Sequence, residues 1–209
     1  MNKLIVSAVA LVMAASVVPA MAITAQSGVY VGGVAGYGSA ALPNNSLNGV
    51  PSTSSKEGSL AWGGMVGYNY ALTDHVLVGV EAGYNQDAKA SYTFAGLGNE
   101  TIKSRDLDAM LTSTYQFSSG FNVFGKAGAA ELRQTVDAYD GNSRVTRIRP
   151  TMKVGSGYMF DLGNAGAMDV FVQYTHIFAK NASNSNVNLA TTPVSVSSVQ
   201  VGVTYNLPV

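Results

Sequence analysis

No cysteine occurs in the 209 residues, so neither disulfide bonds nor thiolate sites hold or run this protein. Charge is also scarce. Asp, Glu, Lys and Arg make up 11% of the chain, against about 25% in an ordinary soluble domain. Twelve basic residues balance twelve acidic ones, so no basic field points to nucleic acid. The two histidines, His75 and His176, have no metal-ligand spacing, and no glycine-rich phosphate loop accompanies them. No metal, cofactor or nucleotide is expected. Long apolar runs are missing with one exception, Leu4 to Val18, which follows Asn2-Lys3 and precedes the small-residue cleavage pattern Pro19-Ala20-Met21-Ala22. That run is short of the ~20 residues a spanning helix needs, and its flanks are those of a secretory signal peptide, residues 1–22. A single mature domain, residues 23–209, is expected to start at Ile23. An exported, apolar chain without a membrane helix has one other way to cross a bilayer, the closed β-barrel.

What is present is alternation. Val199, Val201, Val203, Tyr205 and Leu207 share one parity, with Gln200, Gly202, Thr204 and Asn206 on the other, the period-2 signature of a strand with one apolar face. Seven earlier segments alternate likewise: Val29–Tyr37, Leu60–Leu72, Val76–Tyr84 with a polar extension to Tyr92, Asp106–Phe117, Phe121–Ala129, Arg147–Phe160 and Val170–Phe178. Between them lie very short turns at Thr73-Asp74, Ser118–Gly120 and Asp161–Ala167, and longer polar loops at Ala41–Gly58, Ala95–Asn99, Tyr139–Ser143 and Asn181–Pro193. The phase is expected to slip near Ala130, and again near Ser197-Ser198 because Val194 and Val196 have the opposite parity; a β-bulge would account for each. Pro150 cannot donate to a ladder, so it belongs at a bulge or where pairing ends. The pattern predicts an all-β fold, an eight-stranded antiparallel up-and-down transmembrane β-barrel, with both termini on the turn side.

Aromatic placement decides which face meets lipid. Tyr68, Tyr70, Tyr115, Phe117, Phe121, Tyr158, Phe160 and Tyr205 fall at the turn ends of apolar faces, and Tyr37, Trp62, Tyr84 and Phe178 toward the loop ends. Two such bands are the girdles expected at the two membrane interfaces. In a lipocalin-like barrel or a sandwich the same rings would scatter through a core, and the polar face would carry too few charges for a soluble surface.

Four motifs carry a resemblance. Gln200-Val-Gly-Val-Thr-Tyr-Asn-Leu207 resembles the C-terminal signal read by the outer-membrane assembly machinery, with Gln200, Gly202, Tyr205 and Leu207 at the signal positions; Pro208-Val209 extend past the point where many relatives stop. Gly28-Val-Tyr-Val-Gly-Gly-Val-Ala-Gly-Tyr-Gly38 is similar to the first strand of OmpA-like and opacity-type surface proteins. Gly63 to His75 and Val154 to Phe160 resemble that group's second and sixth strands. The resemblance implies a bacterial outer-membrane location with periplasmic termini and extracellular loops. Outer-membrane lipid and lipopolysaccharide, and the assembly machinery during insertion, are the implied partners of a monomer. Without a further periplasmic domain, peptidoglycan anchoring is not expected.

Three sites could carry function. Glu81, Lys126 and Lys153 are expected at similar heights in the lumen, with Asp106, Asp108, Arg147 and Arg149 in a second layer nearer the loops. Paired, these charges plug a small barrel, whose interior is only just wide enough for side chains; rearranged, they pass ions. The inward glycines Gly32, Gly36, Gly67, Gly83, Gly155, Gly157 and Gly202 could leave water pockets. His176 is the second site. Some eight-stranded barrels resemble this one and are lipid A deacylases with a lipid-facing histidine, but they carry a serine two residues later, where this chain has Phe178. No nucleophile is expected beside His176, so no enzyme is expected. Third, the loops 41–58 and 181–193 are the expected surface for a host or matrix ligand. The preferred reading is a structural or surface-interaction role, adhesion or antigen, with a narrow channel as the alternative and a lipid A-modifying enzyme a distant one.

Overall fold

A computed structural model describes residues 25–40, 46–47, 50–56, 58–94, 98–138, 141–178 and 194–207. The signal peptide, much of the first long loop, residues 95–97 and 139–140 of the two shorter loops, residues 179–180 with the whole loop 181–193, and Pro208-Val209 lie outside them.

Ten strands form one antiparallel system: β1 Gly28–Ala40, β2 Ser46–Leu47, β3 Val50–Lys56, β4 Gly58–Ala71, β5 Val76–Phe94, β6 Gly98–Gln116, β7 Phe121–Ala138, β8 Gly141–Asp161, β9 Ala167–Ile177 and β10 Val196–Asn206. Eight of them close into a barrel: each of β4 to β10 pairs with the next, and β1 sits between β10 and β4. Closure leaves no edge within the spanning zone, which is what a backbone without water requires. At the seam, β1 lies so close to β10 that a Cβ on Gly36 would fall 2.0 Å from the Val199 carbonyl oxygen. Only glycine fits there.

One end of the barrel is tight. Thr73 Oγ1 accepts from the backbone N–H groups of His75 and Val76, at 3.2 and 3.1 Å, and closes the β4–β5 turn. Gly120, with φ 88°, turns β6 into β7, and a single 3-10 turn, Gly163–Ala165, joins β8 to β9. The other end is tall and oblique. β5 to β8 run 18 to 21 residues, whereas β9 and β10 have 11. Spanning takes about 9–11 residues, so the β5–β8 wall continues well past the apolar band.

That extension corrects two expected phase slips. β7 keeps one register with β6 and β8 through Ala130, and β10 keeps one register with β9 from Val196 to Asn206. The faces never swap; the environments do. In the band, the outward face is apolar, and the inward face carries the polar and charged side chains together with a small cluster of Tyr30, Val34, Met65, Phe124 and Phe171. Above it, Glu131 and Arg133 face out to water while Ala130, Leu132 and Val136 face a buried apolar core with Tyr92, Ile102, Ile177 and Val196. A strand leaving lipid for water must exchange the chemistry of its two faces, and in sequence this mimics a one-residue slip.

Other expectations shift as well. The segment read as an unstructured loop from Ala41 to Gly58 contains the β2–β3 ribbon, and β3 adds to the upper part of β5 with an irregularity between Ser52 and Ser54. A bulge that the alternation did not signal lies between Gln86 and Ala88. β5 to β8 all extend beyond the segments read from alternation, because only their membrane portions alternate apolar-out. Pro150 sits where pairing with β9 stops: Phe178 N–H donates to its carbonyl at 3.0 Å, and the next pair down is Thr151 with Ile177.

Candidate functional site

The lumen holds one ion cluster at mid-height. Glu81 on β5 accepts from Lys126 on β7 at 2.5 Å and Lys153 on β8 at 3.4 Å. Lys153 also meets Asp108 on β6 at 2.7 Å. Tyr30 donates its hydroxyl to Glu81 at 2.9 Å, and the Asn85 amide bridges Asp108 and Asp106 at 2.9 and 3.2 Å. Lys126 and Lys153 stand directly opposite each other across β7 and β8, a repulsive placement for like charges. Glu81 reaches across the barrel to both, and Lys126 also lies 5.0 Å from the Phe124 ring centroid. The geometry is that of a girder tying β1, β5, β6, β7 and β8 through the lumen.

Of the expected lumen charges, Glu81, Lys126, Lys153, Asp106 and Asp108 come together, and Asp108 joins the first layer rather than forming a second. Arg147 does not reach the lumen. It lies above the point where β9 ends, is exposed, and donates to the Thr146 carbonyl at 3.3 Å. Arg149 is half-buried on the same stretch of β8, which pairs with β7 but no longer with β9. The sequence alone hides this, since only the lengths of the neighbouring strands show where the lumen stops. The inward glycines are not water pockets either. A Cβ on Gly67 would strike the Tyr30 ring at 2.4 Å, and one on Gly202 the Phe171 ring at 2.3 Å. The aromatic rings fill the glycine gaps and hold Tyr30 against Glu81.

Above the cluster lies the apolar core of Tyr92, Ile102, Leu132, Ile177 and Val196. Its polar tie is Gln134, whose side chain accepts from the Val194 N–H at 2.9 Å and donates to the Val194 carbonyl at 3.0 Å. Tyr92 donates to the Ala40 carbonyl at 2.8 Å. Below the cluster, toward the turns, a cavity of about 50 Å³ is lined by Tyr30, Asn122, Lys126 and Asp169 among others. Thr112 Oγ1 and Asn122 Oδ1, both in its lining, are buried without protein partners. Each such atom costs about 1–3 kcal/mol if left dry, and the cavity is polar and large enough for water to satisfy them.

A Tyr30→Phe variant removes one hydrogen bond to a buried carboxylate while keeping the ring over Gly67. Its unfolding free energy, from urea titration in lipid vesicles, is expected to fall by about 1–3 kcal/mol. A change below half of that would remove Tyr30 from the girder.

On the outer surface, Tyr37, Trp62, Tyr68, Tyr70, Tyr84, Tyr115, Phe117, Phe121 and Phe178 are exposed large hydrophobics. Phe160 and Tyr205 are half-covered. Tyr158 differs: it is 8% exposed and its ring packs 5.0 Å from that of Phe160. In the C-terminal motif, Gln200 faces in and accepts from the Gln173 amide at 2.9 Å, Gly202 receives Phe171, and Leu207 faces out.

His176 corrects another expectation. A hydroxyl does stand beside it: Ser197 Oγ lies 2.8 Å from Nδ1, and Tyr174 OH lies 3.4 Å from the same nitrogen. Ser197 comes from β10, directly opposite His176 in the ladder, so no scan of nearby sequence positions could find it. Both hydroxyls share one nitrogen, and among the described residues no carboxylate bonds the ring. His75 is a turn residue whose Nδ1–H donates to the Gln116 carbonyl at 3.1 Å. Among the described residues no group of His, Cys, Asp and Glu could hold a metal ion.

No curated protein matches the chain. Among solved structures, Neisserial surface protein A is 16% identical, with a TM-score of 0.51 over 88% of this chain and 100% of that one. The attachment invasion locus protein Ail of Yersinia pestis is 10% identical, with a TM-score of 0.48 over 86% and 96%. The N-terminal β-barrel domain of Pseudomonas aeruginosa OprF is 14% identical, with a TM-score of 0.48 over 87% and 100%. The outer membrane protein β-barrel domain family matches residues 7–206. Closed barrel, outward apolar band and family match agree, and the chain belongs to the outer membrane protein β-barrel domain family, with a barrel of eight strands.

Proposed function

We propose that this protein is a monomeric surface barrel with a non-conducting lumen, and that its structural or surface-interaction role is carried by the tall end and the loops above it. In this reading the short turns and both termini lie in the periplasm and the tall end lies outside, following the pairing of short periplasmic turns with longer outer loops. The observation that carries the reading is the surplus wall. β5 to β8 have 18 to 21 residues each, and the excess over the span has an apolar core of its own. A barrel that only crosses the membrane has no use for it. A rigid platform lifting loops clear of the membrane suits adhesion to a host or matrix component.

The chain is free of cysteine, which makes the topology directly testable. In intact cells a membrane-impermeant maleimide should label Arg144→Cys at the tall end and leave Ser119→Cys at a turn unlabelled. Labelling of Ser119→Cys alone would invert the barrel and end the reading. Shortening the loop 181–191 should reduce binding of cells to immobilised matrix several-fold.

The alternative, a narrow channel, must pass both the ion girder and the apolar core above it. Planar bilayers containing the refolded protein are expected to show no sustained conductance, and reproducible unitary currents would favour the channel. Catalysis at His176 has less support, because among the described residues no carboxylate orients the imidazole to deprotonate Ser197.

A further inference from the structure

From the ion girder down to the turns, the described residues of the lumen carry three carboxylates, Glu81, Asp108 and Asp169, against two ammonium groups, Lys126 and Lys153. Glu81 and Asp108 take up both lysines. Asp169 stands apart, on the inward face of β9 between Met159 of β8 and Thr204 of β10. Its carboxylate accepts a hydrogen bond from the Asn122 amide at 3.0 Å. Among the described residues no lysine, arginine or histidine forms an ion pair with it. A carboxylate so placed gives up hydration without the Coulomb attraction that offsets the loss. The fold nevertheless makes room for it: a Cβ on Gly157 would lie 2.7 Å from Asp169 Oδ1.

The space beside Asp169 suits a small guest. It is the turn-side cavity of about 50 Å³, whose lining also presents Asn69, Thr112, Asn122 and Thr204. Asn122 is 1% exposed, and its Oδ1 has no hydrogen-bond partner. That oxygen belongs to the amide whose nitrogen holds Asp169, so carboxylate and free carbonyl stand side by side. Lys126, the basic residue of the lining, is bonded to Glu81 and lies 5.0 and 5.9 Å from the centroids of the Phe124 and Phe171 rings. A cavity of this size has room for a few water molecules. It admits a partly hydrated ion and excludes a bulky one.

We infer that this cavity binds a small monovalent cation such as sodium, held by the Asp169 carboxylate and Asn122 Oδ1, with water completing its shell. Carboxylate and carbonyl oxygens are hard donors and suit alkali and alkaline-earth ions. The charge decides between them. A monovalent ion cancels the single surplus carboxylate, whereas a divalent ion leaves an excess of positive charge beside Lys126. The bound ion joins β7 to β9 across the glycine of β8, so it stabilises the folded barrel. The site goes beyond the proposed surface role and does not depend on which end of the barrel faces outward.

The test uses the full mature barrel in phosphatidylcholine vesicles with the same salt on both sides, unfolded with urea at constant ionic strength as sodium chloride replaces choline chloride. Choline is too bulky for the cavity and controls for screening. Raising sodium from about 1 to about 100 mM should lower the parent's unfolding equilibrium constant about tenfold, as a site with a dissociation constant of about 10 mM requires. Asp169→Asn keeps the shape of the side chain, and its stability should be indifferent to the exchange of choline for sodium. Asn122→Leu keeps the carboxylate and removes the free oxygen, and it should need several-fold more sodium for the same response. Sodium NMR reads the site without unfolding: the sodium line should broaden with the parent far more than with Asp169→Asn. Equal responses of the parent and Asp169→Asn would overturn the inference, as would equal effects of choline and sodium on the parent. A parent that ignores sodium and loses stability as pH rises would carry a proton on Asp169 in place of a cation, which also overturns it. A response saturating at micromolar calcium or magnesium would overturn the monovalent assignment.

Discussion

Replacing Glu81 with Gln should be the most damaging single polar substitution in the barrel, costing about 3–5 kcal/mol of unfolding free energy. The size follows from what is left behind. Glu81 is the only carboxylate bonded to Lys126 among the described residues, and Lys126 faces Lys153 directly across the β7–β8 ladder. Asp108 still holds Lys153 at 2.7 Å, so the uncompensated charge is that of Lys126, buried among Phe124, Phe171 and the lumen wall. Removing one partner from a buried pair costs more than the pair was worth, because the survivor stays desolvated. The same argument predicts rescue. Lys126→Met in the Glu81→Gln background should recover most of the loss, since a lumen without either charge is electrostatically relaxed. Urea titrations of the four combinations in lipid vesicles measure the coupling directly. A Glu81→Gln variant within about 1 kcal/mol of the parent would show that the cluster is an accessory and not a girder.

The second large effect lies on the opposite face. Leu111 is 69% exposed, and in a soluble protein an exposed leucine replaced by arginine changes stability by about 0.5 kcal/mol or less. Here Leu111 is near the middle of the β6 span, roughly equidistant from Tyr115 and Leu107, and its surroundings are acyl chains. Leu111→Arg should therefore cost about 2–4 kcal/mol in lipid vesicles. Six residues further along the same face the chain itself places an arginine, Arg105, at the boundary of the band. Arg105→Leu should be nearly neutral for folding in vesicles of neutral lipid. The contrast between the two positions is the informative measurement: they share a strand, a face and a residue pair, and differ only in depth. Equal, small costs at both would mean that this face does not meet lipid.

Much of the barrel was legible in the sequence because a spanning strand has little freedom. Its backbone must pair on both sides, its side chains alternate with period 2, and lipid on one face admits only apolar groups. Tyr68, Tyr115 and Phe121 at one end and Trp62 and Tyr84 at the other therefore marked the interfaces, and the tight turns at Thr73-Asp74 and Ser118–Gly120 marked the short end. Glu81, Lys126 and Lys153 could be brought to one height by counting from those turns, since rise per residue is nearly constant in a strand. What failed was anything that depended on where lipid ends. Ala130 and Ser197-Ser198 looked like breaks because the same alternation carried opposite chemistry above the band. Arg147 looked like a lumen residue because parity does not reveal that β9 has stopped.

Alternation, turn chemistry and aromatic spacing thus determined the eight barrel strands, the lipid-facing side and the transmembrane class, all of which are local consequences of a chain crossing a bilayer. Tertiary structure alone decided the rest: which charges meet across the lumen, that an apolar core forms at its tall end, that Ser197 stands beside His176, and that Lys103 and Arg133 stand opposite Lys89 and Arg105. These are contacts between strands, set by the stagger and unequal lengths of β5 to β10. Register is a property of pairs of strands, and no single strand's sequence contains it.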